Sequence, residues 1–82
     1  MKKFEEAQAR VKQLSKRPDN ATLLELYALF KQGKEGDCTG SRPSRLKLKE
    51  RAKYDAWASK AGMAKDAAID AYCDLVRKLE AQ

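Results

Sequence analysis

Along the chain, apolar residues fall into helical stripes separated by polar turns. Phe4, Ala7, Val11 and Leu14 recur at i, i+3, i+7 and i+10, one face of a helix, and predict a first helix that stops by about Arg17. Pro18 disfavours helical backbone at the residue before it, and Asp19 and Asn20 are favoured N-cap types. Arg17 to Ala21 therefore reads as a turn into a second helix, from about Thr22 to Lys34. On that helix Leu23, Leu26, Tyr27 and Phe30 take the spacing i, i+3, i+4, i+7, with Gly33 and Gly36 as its C-terminal stop. Residues 36–44, GDCTGSRPS, have turn chemistry and no period, so they read as a connecting loop. A third helix follows from about Leu48 to Ala61, carrying Ala52, Ala56 and Trp57, and Gly62 ends it. The fourth stripe is the clearest: Ile69, Tyr72, Cys73, Val76 and Leu79 at i, i+3, i+4, i+7 and i+10. Asp66 and Asp70 stand near its start and Arg77 and Lys78 near its end, as the helix dipole prefers. Met63 and Ala64 occupy the place of a Ser or Thr cap, which predicts a less firm start. No strand pattern, repeat or low-complexity tract competes. The expectation is an all-α bundle of four helices, with a connectivity that periodicity leaves open.

Composition narrows the function. A chain of 82 residues suits one domain, 1–82, and its 43% hydrophobic and 37% charged residues supply one core under a charged surface. Eighteen Lys and Arg against twelve Asp and Glu give a net charge of +6. The excess is local: residues 42–53, RPSRLKLKERAK, hold six basic groups against Glu50 alone, whereas residues 54–82 hold four against five. Such a run favours an anionic partner, nucleic acid or a phosphate ligand, although a solvated loop and helix start have the same composition.

There is no histidine, so the commonest metal ligand and the commonest general base at neutral pH are both missing. Cys38 and Cys73 form no C-x-x-C pair and are expected as reduced thiols, Cys73 as a small apolar residue on the last stripe. The residues therefore predict a protein that is not an enzyme and needs no metal or cofactor. The first dozen residues lack an apolar signal core, and the longest apolar run, Leu26 to Phe30, is five residues, so a cytoplasmic location without membrane insertion is expected. Because the apolar stripes are used internally and no further apolar face is visible, a monomer is expected.

Tyr27 and Lys31, at i and i+4, share one face of the second helix, with Phe30 on its shoulder. An aromatic beside a cation suits a nucleotide: a ring can stack on a base, a phenol can donate to phosphate, and an ammonium can neutralise it. Each charge-assisted bond contributes roughly 1.5–3 kcal/mol. The same spacing also fits ordinary core aromatics beside a solvated lysine, and spacing alone does not choose.

A longer pattern does. YALFKQGKEGD at Tyr27 to Asp37 resembles the signature of the acyl-CoA-binding protein family: tyrosine, two residues, an aromatic, Lys-Gln, three residues, Gly-Asp. Arg42-Pro43 matches its Arg-Pro, and AKYDAW at Ala52 to Trp57 resembles its Ala-Lys-Trp-Asp-Ala-Trp, with Tyr54 in place of one tryptophan. Phe4, Val11, Leu14, Pro18, Gly62 and Ala71-Tyr72 fall in register, so the resemblance covers about residues 3 to 80 without a gap.

The resemblance implies an up-down-down-up four-helix bundle that holds acyl-CoA thioesters without reacting with them, as an intracellular carrier and buffer. It further implies that enzymes using acyl-CoA are transient partners. Carried over by position, it puts Tyr27, Lys31 and Lys53 at the phosphates, with Lys12 and Lys49 as further basic contacts. Phe30 and Tyr72 would flank the adenine and CoA head, Ala28 and Leu29 fall in the contact segment, Leu24 faces the acyl chain, and Trp57 belongs to the core. Two departures stand out. Phe30 replaces a frequent tyrosine, which removes a hydroxyl and keeps the ring, and KLKER at Lys47 to Arg51 is more basic than the family pattern. A small basic module for nucleic acid or protein interaction is the alternative.

Overall fold

The computed structural model describes residues 2–82. They form four helices in the order α1 (Lys2–Val11), α2 (Asn20–Glu35), α3 (Leu48–Ala58) and α4 (Lys65–Glu80). Contacts along the helices give their directions. Lys3 pairs with Asp70 and Arg10 with Glu80, so α1 and α4 run parallel. Gly33 lies against Ile69, Phe30 faces Tyr72, and Thr22 borders the same cavity as Leu79, so α2 and α4 are antiparallel. Tyr27 meets Lys53 and Lys31 meets Trp57, so α2 and α3 are parallel. The topology is up-down-down-up, as the resemblance implied.

Local chemistry sets the helix ends. Asp19 caps α2 in extended conformation, its Oδ1 accepting the Thr22 N–H at 2.8 Å. At the other end Gly36 has φ 86°, a conformation that favours glycine, and its N–H donates to the Gln32 carbonyl at 3.0 Å. Gly33, expected as part of the stop, instead lies inside α2. A Cβ there would sit 2.8 Å from Ile69 Cγ1, so this glycine allows α2 to approach α4 closely. Ala64 starts α4 without a side-chain cap bond, in keeping with the weaker start expected there.

Two helices are shorter than the pattern suggested. α1 ends at Val11 and leaves Leu14 outside it, because between Lys12 and Arg17 only Leu14 is apolar and can anchor a further turn. α3 ends at Ala58, and the chain tightens through i to i+3 bonds, Lys60 N–H to Trp57 O at 2.9 Å and Met63 N–H to Lys60 O at 3.0 Å, around Gly62.

The core joins α1, α2 and α4. Phe4, Ala7, Leu26, Leu29, Ala68, Ile69, Tyr72, Cys73 and Val76 are buried together, with Phe4 and Tyr72 edge to face at 5.3 Å between ring centres. α3 buries only Trp57, whose Nε1 donates to the Gly36 carbonyl at 2.8 Å. One helix thus stands partly off the core, attached to α2.

Candidate functional site

Between α2 and α3 lies an open groove of about 490 Å³. Leu23, Leu24 and Tyr27 wall it from α2, and Leu48, Lys49, Ala52 and Lys53 wall it from α3, with Arg17 and Asn20 at one end. The helical repeat explains the α3 wall: residues four apart share a face, so Leu48 and Ala52 fall together, as do Lys49 and Lys53. Ala52 is small and leaves space where a larger residue would fill it. A second cavity of about 310 Å³ is lined by Lys12, Leu26, Phe30 and Tyr72 among others, and Leu23 and Tyr27 border both.

The predicted residues divide into groups. Tyr27, Leu24, Lys49 and Lys53 line the groove, and Lys12, Phe30 and Tyr72 join Tyr27 at the second cavity. Lys53 Nζ lies 5.5 Å from the centre of the Tyr27 ring. Tyr72 is buried, and that burial pushes its phenol pKa up. Lys31 lines neither cavity. It pairs with Glu35 one turn on, with Nζ 4.7 Å above the Trp57 ring. The hydrogen bond from Lys31 holds the Glu35 carboxyl below its usual range and raises the lysine in turn. Ala28 and Leu29 differ from the rest: both are buried and neither lines either cavity.

Carboxylates compensate some of the basic groups and leave others without a partner. Lys3, Arg10, Lys31, Arg42, Lys60 and Arg77 each have a carboxylate partner. Among the described residues Arg45, Lys47, Lys49, Arg51 and Lys53 have none within 4.0 Å. Lys2, Lys12, Lys16, Arg17, Lys34, Lys65 and Lys78 also lack one, but the longest run of such cations lies at the groove's α3 wall and on the turn before it.

Sequence reasoning missed a structural clamp behind the site. Gln32 is buried, and its Nε2 donates to Asp37 Oδ1 at 2.8 Å and to the Met63 carbonyl at 2.7 Å. Asp37 Oδ1 also accepts the Gly62 N–H at 2.9 Å, so the end of α2 is tied to the α3–α4 connection. These bonds hold the Asp37 carboxyl below its ordinary pKa. The signal was present in the Lys-Gln and Gly-Asp pairs of the signature, whose Gln and Asp hold the frame while its Tyr and Lys face outward.

A family model described as Acyl CoA binding protein matches residues 1–76. The chain is 51% identical to acyl-CoA-binding protein homolog 1 of Caenorhabditis elegans, covering 96% of this chain and 92% of the relative. The chain belongs to the acyl-CoA-binding protein family. The crystal structure of Oryza sativa acyl-CoA-binding protein 2 superposes with a TM-score of 0.91 at 37% identity, over 95% of this chain and 85% of that one. Human enoyl-CoA delta isomerase 2 is 44% identical over 95% of this chain, but the match takes in only 20% of the isomerase. What is shared with that enzyme is a segment the size of an acyl-CoA-binding protein, and its isomerase activity does not carry over. Among the described residues no helix is long and apolar enough to cross a membrane, and no group of three or more potential metal ligands occurs.

Proposed function

We propose that this protein binds medium- to long-chain acyl-CoA thioesters non-covalently at the α2–α3 groove and serves as a cytoplasmic carrier and buffer of the acyl-CoA pool. The observation that supports it best is the joining of two chemistries in one groove. Lys49, Lys53 and the Tyr27 hydroxyl supply donors for phosphate, and Leu23, Leu24, Leu48 and Ala52 supply an apolar wall for a tail. In this reading Lys31 leaves Glu35 to meet the phosphates, Lys12 adds charge, and Phe30 with Tyr72 accepts the adenine side. Ala28 and Leu29 act only by packing.

The two halves of the ligand contribute differently. Charge-assisted bonds fix the head, each about 1.5–3 kcal/mol, and the tail adds about 0.8 kcal/mol per buried methylene. Two methylenes are then worth roughly a factor of ten in affinity until the groove ends. A free long-chain thioester is a detergent, so a protein that covers its tail is useful without performing a reaction. No catalytic step, cofactor or metal enters this role. The protein acts as a monomer, and enzymes that make or use acyl-CoA are transient partners.

Calorimetric titration with CoA, octanoyl-CoA and palmitoyl-CoA tests the proposal. Affinity should rise with chain length at one-to-one stoichiometry and fall tenfold or more in Lys31→Ala. No binding of any of the three would refute it.

A further inference from the structure

The α2–α3 groove is not apolar to its end. Leu23, Leu24, Leu48 and Ala52 wall its length, and Leu48 is 73% exposed, although the sequence stripes had suggested no apolar face left over. At one end stand two polar side chains, Arg17 and Asn20. Tyr27 and Lys53 mark the opposite end, because Tyr27 lies about two helical turns after Asn20 and its ring meets Lys53 across the groove.

Arg17 has a second setting as well. It also lines a separate cavity of about 290 Å³, together with Lys16, Asp19 and Thr22, so its side chain stands between an apolar groove and a polar hollow. Among the described residues neither Lys16 nor Arg17 has a carboxylate within 4.0 Å. Asp19, the nearest acid along the chain, is occupied as the cap of α2, its Oδ1 accepting the Thr22 N–H at 2.8 Å. A plain alkyl tail suits the groove and gives this end nothing, since a methyl group displaces water from a guanidinium and an amide without replacing the hydrogen bonds. A tail that finishes in a carboxylate replaces them. The planar guanidinium can donate to both oxygens, the Asn20 amide adds a donor, and two uncompensated cations already favour negative charge there.

We propose that the groove takes ω-carboxyacyl-CoA thioesters, the monothioesters of dicarboxylic acids, alongside simple acyl-CoA, with Arg17 binding the free carboxylate. The inference rests on the proposed function, because the CoA head must be held toward Tyr27 and Lys53 for the tail to finish at Arg17. Binding makes and breaks no covalent bond. The methylenes keep their contacts with the leucines of the groove, and only the last carbon differs. Arg17 is exposed, so the pair it forms is partly screened by water and changes affinity several-fold rather than a hundredfold.

Calorimetric titration of the full chain with three pairs of ligands tests it: octanoyl- and octanedioyl-CoA, dodecanoyl- and dodecanedioyl-CoA, hexadecanoyl- and hexadecanedioyl-CoA. The head is common to each pair, so the ratio of the two affinities isolates the end of the tail. In at least one pair the diacid thioester should bind within about threefold of the simple one, or tighter. For that pair Arg17→Leu should shift the ratio at least about threefold against the diacid, and Arg17→Lys, which keeps the charge, should shift it less. Raising the salt should move the wild-type ratio in the same direction, a comparison that needs no variant. Diacid thioesters that bind more than about threefold weaker than their partners at every length would overturn the proposal, as would a smaller shift in Arg17→Leu or a ratio indifferent to salt. If the wild type binds no thioester of either kind, the proposed function falls and this inference with it. If simple thioesters bind and their diacid partners do not, this inference alone falls.

Discussion

The two sides of α2 are built for opposite ends. Toward α4 it presents Leu26, Leu29 and Gly33, which pack into a closed core with Phe4, Ile69 and Tyr72. Toward α3 it presents Leu24 and Tyr27 across a groove of about 490 Å³ that packing leaves open. The same helical period serves both, because residues three or four apart share a face while their neighbours point elsewhere. Buried apolar area on one side supplies the stability that permits half-satisfied apolar and cationic groups on the other. Substitutions two positions apart, at Tyr27 and Leu29, should therefore report on different properties, ligand for the first and folding for the second.

The largest expected effect breaks the folding side alone. Leu29→Ala removes a buried side chain and should cost about 2–5 kcal/mol in chemical denaturation. Palmitoyl-CoA affinity of the folded fraction should stay within a few-fold. A selective loss of affinity at unchanged stability would place Leu29 at the ligand after all. Gly33→Ala is a sharper test of the close approach. Alanine gains about 1 kcal/mol of helix propensity over glycine, but crowding Ile69 costs about 1–3 kcal/mol, so the net should be a loss of up to about 2 kcal/mol. A stabilised Gly33→Ala would show that α2 and α4 have room to spare.

Acid should act on the folding side before the groove. Asp37, Asp55 and Glu80 are each held below their ordinary pKa, chiefly by hydrogen bonds from Gln32, Arg42 and Arg10 respectively. A carboxylate with a depressed folded-state pKa binds fewer protons than in the unfolded chain. Its contribution is full at neutral pH and is lost as pH falls through about 5 toward 2. Thermal melts over that range should show falling stability. Asp37→Asn, which weakens a clamp with two donors, should flatten this dependence more than Glu80→Gln does; the reverse order would mean that the α1–α4 pair, not the clamp, governs acid stability.

The smallest effect belongs to the groove side. Glu35→Gln frees Lys31 from its intrahelical partner and should raise palmitoyl-CoA affinity by about two- to fivefold with little change in stability, as expected for an exposed pair. Weaker binding in Glu35→Gln would mean that Glu35 orients Lys31 rather than competes for it.

Sequence pattern was most informative where burial repeats along one helix. In the α4 stripe Ile69, Tyr72, Cys73 and Val76 are buried as read and Leu79 is half-buried, and Asp19 caps α2 as its residue type suggests. It was least informative where the decisive neighbour comes from elsewhere in the chain. Gly33 looked like a stop because periodicity carries no record of how close another helix lies. α3 showed little stripe because it buries only Trp57, and its lysines are placed by what they leave uncovered. Of the residues that line the groove, Leu24, Tyr27, Lys49 and Lys53 were already named through motif resemblance. Leu23 and Ala52 as groove walls needed the three-dimensional arrangement, and so did the partners of Gln32, whose place in the signature carries no record of what it bonds.

Amide chemical-shift mapping of the labelled protein during titration with palmitoyl-CoA tests the division of α2 most directly. The largest shifts should fall on residues 23–31 of α2 and 48–53 of α3, with smaller ones near Lys12 and Tyr72, and little change along the Lys3–Asp70 and Arg10–Glu80 seam. Dominant shifts along that seam, with the α2–α3 groove unmoved, would contradict it.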